Sequence, residues 1–334
     1  RKRDAKAIAS YKSKLLDKIN FHKYVQYLFF TQWESLKTYA NKNNVRIIGD
    51  IPINVADDSA DTWSNKELFW LDEDCTPVKV AGVPPDAFSD DGQLWGNPVY
   101  AWDVHKNQGY KWWLQRLNAA LELFDVVRID HFRGFESYYA IDYGATNARV
   151  GEWYKAPGQE LFALLKKQTR GFKIIAEDLG YITPEVRKLL RDTGFPGMKI
   201  MMFGFNAKGE SDFIPYKHVG NCVSYIGTHD NETFLSWLEN CPPSDRALAK
   251  RYMRLNKREG YHWGAIRTLL ETGSTLAIIQ MQDILGLGNE ARMNLPATLG
   301  GNWQWRLSPD DCTDEIARKL HTLTKTYGRL DKQK

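Results

Sequence analysis

The sequence predicts an α/β fold whose parallel sheet is either doubly wound or closed into a barrel. Three observations predict it. Short β-branched or apolar runs recur along the 334 residues, amphipathic helical stretches lie between most of them, and polar residues end five of the six runs. Regular alternation of strand and helix is the pattern of βαβ units, which build parallel sheets.

The six runs are short and apolar on both faces, which is typical of buried parallel strands. They are VRIIGD (45–50), DVVRID (125–130), FKIIAED (172–178), MKIMMF (198–203), CVSYIGTHD (222–230) and TLAIIQMQD (275–283). Helices are predicted at 21–40, 110–123, 159–168, 184–192, 265–271 and 314–324. The helix at 184 has a clear start, because Thr183 followed by Pro184 is a favourable N-cap and first-turn pair.

Two stretches interrupt this alternation. Residues 52–107 are too many for a simple crossover, and residues 239–261 add a helical piece before the last strand. Within the first stretch, the segment 81–102 is rich in Gly, Pro, Asp and aromatic residues, which predicts an ordered loop with little regular structure. Long excursions of this kind are usually functional.

Charge and cysteine content narrow the class of protein. The 45 Lys and Arg against 41 Asp and Glu alternate along the chain instead of forming basic blocks, which argues against nucleic acid as the main partner. No apolar stretch is long enough to span a bilayer. Four widely spaced cysteines without a CxxC pair predict reduced thiols and a cytoplasmic protein, with neither a zinc site nor a disulfide framework.

The polar residues at the strand ends are the first candidates for chemistry, because barrel enzymes keep their active sites at the carboxyl ends of the strands. Six strands cannot close an eight-stranded barrel. A helix at the start of the chain indicates that the missing strands preceded residue 1, so either the sheet is open or an N-terminal piece is absent. The strand-end residues are Asp50, Arg128 with Asp130, Glu177 with Asp178, His229 with Asp230, and Gln282 with Asp283.

Two of these carboxyl groups suit glycosidic bond cleavage with retention. That reaction needs a nucleophile and a general acid about 5 to 5.5 Å apart, and adjacent parallel strands lie about 4.8 Å apart. Asp130 and Glu177 fit these roles. A partly apolar site would raise the pKa of Glu177, while Arg128, on the same strand face as Asp130, would keep that aspartate ionised. Asp230 would hydrogen-bond the sugar hydroxyls.

Each residue taken alone also has a structural interpretation. An acidic residue after a strand often caps a helix or forms an ion pair, and His131 and His229 are more often structural than catalytic. Three acidic strand ends in series, with six tryptophans between Trp63 and Trp113, favour a carbohydrate-active enzyme. Two rivals remain at this point, a metal-dependent lyase of the enolase kind and a noncatalytic carbohydrate-binding protein.

Six segments, taken together and in order, resemble the amylomaltase or disproportionating-enzyme family of 4-α-glucanotransferases, relatives of the α-amylases. The segments are GDIPINVADDSADTW (49–63), PPDAFSDDGQLWGNPVYAW (84–102), VVRIDHFRGF (126–135), IIAEDLG (174–180), YIGTHDNET (225–233) and RMNLPATLGGNWQWR (292–306). The resemblance implies a TIM-type (β/α)8 barrel with long inserted loops. Residues 1–334 would supply strands three to eight, with insertions at about 52–107 and 239–261, and the first strands would be missing at the N-terminus.

The resemblance also implies roles for individual residues. Asp130 would be the nucleophile, Glu177 the acid/base and Asp230 the transition-state stabiliser. Such enzymes transfer α-1,4-glucan segments between maltooligosaccharides without a metal or organic cofactor. An α-glucan hydrolase and an inactive truncated glucan-binding fragment are the alternatives, because the same carboxyl pair serves transfer and hydrolysis. The residues implied to contact substrate are Arg128, His229, Asp50, Asp86, Phe88, Trp95, Asn97 and Asn302.

Overall fold

A computed structural model describes residues 1–85, 89–168, 173–296 and 298–330, and the chain divides into two compact units, Arg1–Phe195 and Pro196–Lys334. The helices of the first unit are α1 (Ala5–Lys14), α2 (Leu16–Lys42), α3 (Ala60–Ser64), α4 (Trp102–Asn107), α5 (Lys111–Leu123), α6 (Gly158–Gln168) and α7 (Pro184–Thr193). Its strands are β1 (Ile48–Ile51), β2 (Lys79–Val83), β3 (Gln93–Pro98), β4 (Val126–Ile129), β5 (Ser137–Asp142), β6 (Glu152–Lys155) and β7 (Ile174–Ala176).

The second unit contains strands β8 (Gly197–Ile200), β9 (Val219–Tyr225) and β10 (Gly273–Ile278). Its helices are α8 (Phe234–Asn240), α9 (Pro243–Tyr252), α10 (Tyr261–Glu271), α11 (Met281–Leu285) and α12 (Asp314–Thr326). Short 3-10 helices span Lys66–Leu68, Phe132–Phe135, Met201–Gly204, Pro215–Lys217, Asn289–Ala291 and Pro309–Asp311. Within the described ranges, no helix is long and apolar enough to cross a membrane.

The first unit contains a parallel sheet in the order β1-β4-β7. Ile51 lies opposite Ile129, and Ile129 lies opposite Ala176, so the carboxyl ends of the three strands are level. Val127 and Ile129 are fully buried, as expected for strands that are covered on both faces. The residues that follow these ends, Asp130 and Glu177, are therefore held at one edge of the sheet.

Helices α5 and α7 show why the predicted helical segments fold as they do. Trp113, Leu117 and Ala120 of α5 recur at helical spacing and are buried in the core cluster of this unit. At the start of α7, the Thr183 side chain accepts a hydrogen bond from the Val186 N–H, and Pro184 occupies the first turn. The predicted N-cap at Thr183 is confirmed.

A second, antiparallel sheet in the first unit has the order β3-β2-β5-β6. The prediction that residues 81–102 carry little regular structure is wrong, because this segment contains the last residues of β2 and the whole of β3. The Gly and Pro residues of this segment interrupt the alternation that predicts a strand. Strand β2 pairs with β3 and also with β5, which is distant in the sequence. A local sequence pattern cannot show such a pairing.

The second unit contains a parallel sheet in the order β10-β9-β8. Its core includes Met201, Phe234, Trp263 and Ile266. Helix α9 lies inside the predicted helical insertion 239–261, which confirms the extra helical piece.

The sixth predicted strand, 275–283, is too long at its carboxyl end. Strand β10 ends at Ile278, and Gln282 and Asp283 lie in α11. Asp283 is buried, and its Oδ1 accepts a hydrogen bond of 2.7 Å from the N–H of Phe234, the first residue of α8. Burial raises the pKa of Asp283 to about 6. These two residues are therefore structural parts of a helix and not polar residues at a strand end.

Candidate active site

Strand β4 places Arg128 between two carboxylates. Arg128 Nη1 donates to Asp50 Oδ2 over 2.6 Å, and Nη2 lies 2.9 Å from Asp130 Oδ1. Burial disfavours the charged guanidinium, but Asp130 and Asp50 outweigh it and raise the pKa of Arg128 above its ordinary value. Arg128 is thus ion-paired to both carboxylates, and its contact with Asp130 agrees with the position of the two residues on one face of the strand.

Glu177 follows β7 and is held on both sides of its carboxyl group. Its backbone N–H donates to Ile129 O over 3.0 Å, which continues the parallel pairing of β4 and β7. Glu177 Oε2 accepts from the His131 N–H and Oε1 accepts from the Leu179 N–H, each over 2.7 Å. The residue is only 8% exposed. Its carboxyl orientation is therefore fixed by two backbone donors.

The environment of Glu177 favours its protonated form. Burial raises the pKa of Glu177 most, and the neighbouring Asp130 carboxylate raises it further, to about 7. Arg128 and the two backbone donors act in the opposite direction and offset part of this shift. A carboxyl group with a pKa near neutrality can donate a proton in one step and accept one in the next.

His131 shapes the turn that follows Asp130. Its backbone is left-handed, with φ 49° and ψ 49°. In this conformation its N–H donates a hydrogen bond to the Glu177 carboxyl group. Burial, with a smaller effect of Arg133, lowers the pKa of His131 to about 3, so the ring is neutral at neutral pH. The ring packs edge-on to Trp95 at 4.9 Å between centroids. The structural interpretation of His131 agrees with these contacts.

The remaining substrate-contact candidates of the first unit lie in or near the antiparallel sheet. Trp95 and Asn97 belong to β3, two residues apart and so on one face of the strand. Trp95 is 36% exposed, which leaves part of its ring free for a ligand. Asp86 and Phe88 lie outside the described residues.

The second unit builds its own polar cluster beyond the end of β9. Asp230 Oδ1 accepts from Asn294 Nδ2 over 2.6 Å, and Arg292 donates to the Asp230 carbonyl over 2.6 Å. His229 Nε2 lies 3.5 Å from Asp230 Oδ2, and its ring contacts Trp303 at 5.0 Å between centroids. Asp230 is thus oriented by the segment that begins at Arg292.

Asn302 is engaged within its own loop. Its Oδ1 accepts from the Leu295 N–H over 2.9 Å, and its Nδ2 donates to Thr298 Oγ1 over 3.1 Å. These bonds close the loop around residue 298. In the structure, Asn302 therefore shapes this loop, and any contact of Asn302 with substrate is a proposal.

Sequence reasoning missed several residues that hold the candidate catalytic groups. The backbone donors of His131 and Leu179 leave no sequence signal, because they depend on a left-handed turn and on a loop path. The sequence assigns no individual role to Arg292, Asn294 or Trp303. The block RMNLPATLGGNWQWR contains all three of these side chains and was the available signal.

All four cysteines are free thiols, and within the described part of the chain no group of three or more His, Cys, Asp or Glu residues is placed to hold a metal ion. In the first unit, a nucleophile candidate ion-paired to arginine lies beside a buried carboxyl group with a raised pKa. Such a pair on neighbouring strands is the arrangement that retaining glycosidases and transglycosidases use.

Comparisons with known proteins agree with this class. A family profile described as 4-alpha-glucanotransferase matches residues 1–313. A 4-alpha-glucanotransferase of Clostridium butyricum is 47% identical over 326 residues, which cover 97% of this chain and 67% of the relative. Amylomaltase from Streptococcus agalactiae, solved in complex with acarbose, matches with a TM-score of 0.96 and 46% identity over 98% of this chain and 66% of that chain.

The chain belongs to the 4-alpha-glucanotransferase family, as its sequence segments predict. It spans about two thirds of the length of the relatives that it matches. The α-amylase from Geobacillus thermoleovorans shares the fold alone, with a TM-score of 0.51 and 14% identity over 90% of this chain and 61% of that chain. The fold is therefore of the α/β barrel-like type, and the rival interpretation as a metal-dependent lyase is not supported.

Proposed function

We propose that this chain carries the catalytic centre for transfer of α-1,4-glucan segments between maltooligosaccharides by a retaining double displacement. One observation carries the proposal. The Glu177 carboxyl group is buried, held by two backbone donors and raised in pKa to about 7, beside an Asp130 that is ion-paired to Arg128. The retaining reaction requires a carboxylate nucleophile and a carboxyl group that donates a proton, and this arrangement supports both roles.

In the first step, an Asp130 oxygen attacks the anomeric carbon of the donor glucan. The glycosidic bond breaks, and its oxygen takes the proton of Glu177, so the leaving glucan departs with a free 4-hydroxyl group. In the second step, ionised Glu177 removes the proton from the 4-hydroxyl of an acceptor glucan. That oxygen attacks the anomeric carbon, and Asp130 is released as a carboxylate.

The roles proposed for the other site residues are based on the family's sequence pattern. Asp230 is the transition-state stabiliser, and its hydrogen bond from Asn294 supports the role by fixing the carboxylate. The remaining proposed contacts, of which Asp86 and Phe88 lie outside the described residues, bind the glucan rings and hydroxyls. They are Arg128, His229, Asp50, Asp86, Phe88, Trp95, Asn97 and Asn302.

The choice of transfer over hydrolysis is supported by the similarity to 4-alpha-glucanotransferases, since the carboxyl pair serves both reactions. Both reactions pass through one glycosyl-enzyme intermediate, and the outcome depends on whether water or a sugar hydroxyl attacks it. The curated relatives are named 4-alpha-glucanotransferases, and one related amylomaltase was solved with acarbose. We further propose that the six parallel strands correspond to strands three to eight of a (β/α)8 barrel, in a cytoplasmic enzyme that needs no cofactor.

Incubation of the protein with maltotriose tests the proposal. The unmodified protein is expected to produce a ladder of longer maltooligosaccharides, and Asp130→Asn is expected to abolish it. Asp125→Asn, near the opposite end of β4, is the matched control, because Asp125 bonds Ile47 N–H and Asn41 and lies outside the carboxyl pair. Glucose and maltose without longer products would indicate a hydrolase. Binding without turnover would indicate a glucan-binding fragment.

A further inference from the structure

We propose that Arg133 is a positioning residue that fastens the loop after Glu177 and so fixes the direction of the acid/base carboxyl group. The inference rests on the proposed function, because it assigns Glu177 the acid/base role. Arg133 does not touch the reacting atoms. It acts through the two backbone segments that supply hydrogen bonds to Glu177.

Arg133 is a buried cation with an uncommon set of partners. Only 4% of the residue is exposed, and its guanidinium carbon lies 4.0 Å from the ring centroid of Trp153. Within the described ranges, Arg133 forms no ion pair with a carboxylate at 4.0 Å or less. Burial lowers its pKa accordingly. A charge buried at such a cost is usually compensated by specific hydrogen bonds and by stacking on an aromatic ring.

The hydrogen bonds of Arg133 connect two loops. Nη1 donates to the carbonyl of Tyr181 over 3.0 Å, and Nη2 donates to Ser137 Oγ over 2.9 Å. The Ser137 hydroxyl in turn donates to Glu136 over 2.7 Å. Ser137 begins β5, so Arg133 fastens the loop after β7 to the antiparallel sheet.

Both donors to Glu177 lie next to this connection. Leu179, whose N–H holds Oε1, is two residues before Tyr181, and His131, whose N–H holds Oε2, is two residues before Arg133. Between Leu179 and Tyr181, Gly180 has a φ of +80°, and Tyr181 itself is 73% exposed. The Arg133 bond therefore supplies a fixed point in a loop whose exposed end has little packing.

A role through Glu177 differs from a purely structural role in its dependence on the leaving group. Departure of a glucan from its glycosidic bond requires the Glu177 proton. Fluoride leaves α-maltosyl fluoride as an anion, so formation of the Asp130–maltosyl bond needs no proton donor. Misdirecting Glu177 should therefore slow the reaction with glucan far more than the first step with the fluoride.

The experiment compares Arg133→Ala with Arg116→Ala on both substrates. Arg116 is a matched control, because it also donates to backbone carbonyls, of Ile53 and Pro52, and also lies over tryptophan rings, but it does not contact the Glu177 loop. Arg133→Ala is expected to lower kcat on maltotriose about 10- to 100-fold. The rate of initial fluoride release from α-maltosyl fluoride is expected to fall by no more than about threefold. Arg133→Lys should restore part of the difference, since it keeps one donor.

Amide hydrogen exchange provides a readout that does not need activity. Exchange at Leu179 is expected to accelerate about tenfold in Arg133→Ala and to stay unchanged in Arg116→Ala. Equal losses on maltotriose and maltosyl fluoride, or unchanged Leu179 exchange, would overturn the proposal. If the unmodified protein neither transfers glucan nor releases fluoride, the proposed function fails, and the exchange measurement still decides whether Arg133 holds the loop.

Discussion

The protonation of Glu177 sets a prediction for the pH dependence of activity. Because its pKa is raised to about 7 by burial and by Asp130, the fraction that can donate a proton falls as the pH rises through this value. We expect kcat/KM for maltotriose to decline above about pH 7, with the decline governed by this group. Measurement across roughly pH 5 to 9 tests it, and a profile that stays flat to pH 9 would contradict the assignment.

The raised pKa of Glu177 predicts that its ionised carboxylate lowers the stability of the folded protein at high pH. The ordinary pKa of Glu177 is 4.5 and its value in the folded state is about 7, so its contribution to stability is present below pH 4.5 and is lost as the pH rises through 7. Relative to the unmodified protein, Glu177→Gln should therefore gain about 3 kcal/mol in free energy of unfolding between pH 4 and pH 8, apart from a constant cost of the backbone hydrogen bond that its amide nitrogen cannot accept.

Urea unfolding at pH 4 and pH 8 measures this difference. The gain of Glu177→Gln should be absent at pH 4, where the carboxyl group of the unmodified protein is largely protonated in the folded and the unfolded state. Glu122→Gln on the surface side of α5 serves as the control and should show no such dependence. A difference in stability between Glu177→Gln and the unmodified protein that is the same at pH 4 and pH 8 would show that burial does not disfavour the Glu177 carboxylate.

At the scale of single residues, the sequence predicts the catalytic candidates better than their supports. Asp130, Arg128 and Glu177 follow from strand-end positions, and parallel register does bring Asp50, Arg128 and Asp130 into contact. Backbone donors depend on torsion angles that side-chain patterns do not encode. The prediction for Asp283 is wrong, because its position after an apolar run predicts the end of a strand, whereas the residue lies in helix α11.

At the scale of elements, Gly49 in β1 has a steric role. A Cβ atom at Gly49 would lie 2.0 Å from Phe124 Cδ2, a ring carbon, so any side chain must displace the ring. Gly49→Ala is expected to lower the free energy of unfolding by about 1–3 kcal/mol. Gly209→Ala, where a Cβ meets nothing within 4 Å, is the control and should change little. Equal thermal unfolding of the two variants would contradict the prediction.

Asp283 gives a second prediction at this scale. Its Oδ1 accepts the hydrogen bond of the Phe234 N–H at the start of α8. Asp283→Ala removes this acceptor from a buried donor and should cost about 1–3 kcal/mol of stability. Asp283→Asn keeps an oxygen acceptor without the buried charge and should cost less. Chemical unfolding at neutral pH compares the two, and an alanine variant as stable as the asparagine variant would show that the bond contributes nothing.

At the scale of the whole molecule, the sequence predicts the parallel strands and most helices, and it misses the antiparallel sheet. The six predicted strands all occur, since each is a local apolar run between helices. The sheet β3-β2-β5-β6 joins residues from 79 to 155, and its pairing is decided by distant contacts. The residues that Arg133 connects belong partly to this sheet, which explains why its proposed role is invisible in the sequence.

The most direct measurement of the central claim is mass analysis of Glu177→Gln after reaction with α-maltosyl fluoride. Fluoride leaves without an acid, and the missing base slows the second step, so a maltosyl adduct should accumulate. The account predicts that the adduct lies on Asp130, and that Glu177→Gln combined with Asp130→Asn forms none. An adduct on another residue, or fluoride release that survives in the double variant, would contradict Asp130 as the nucleophile.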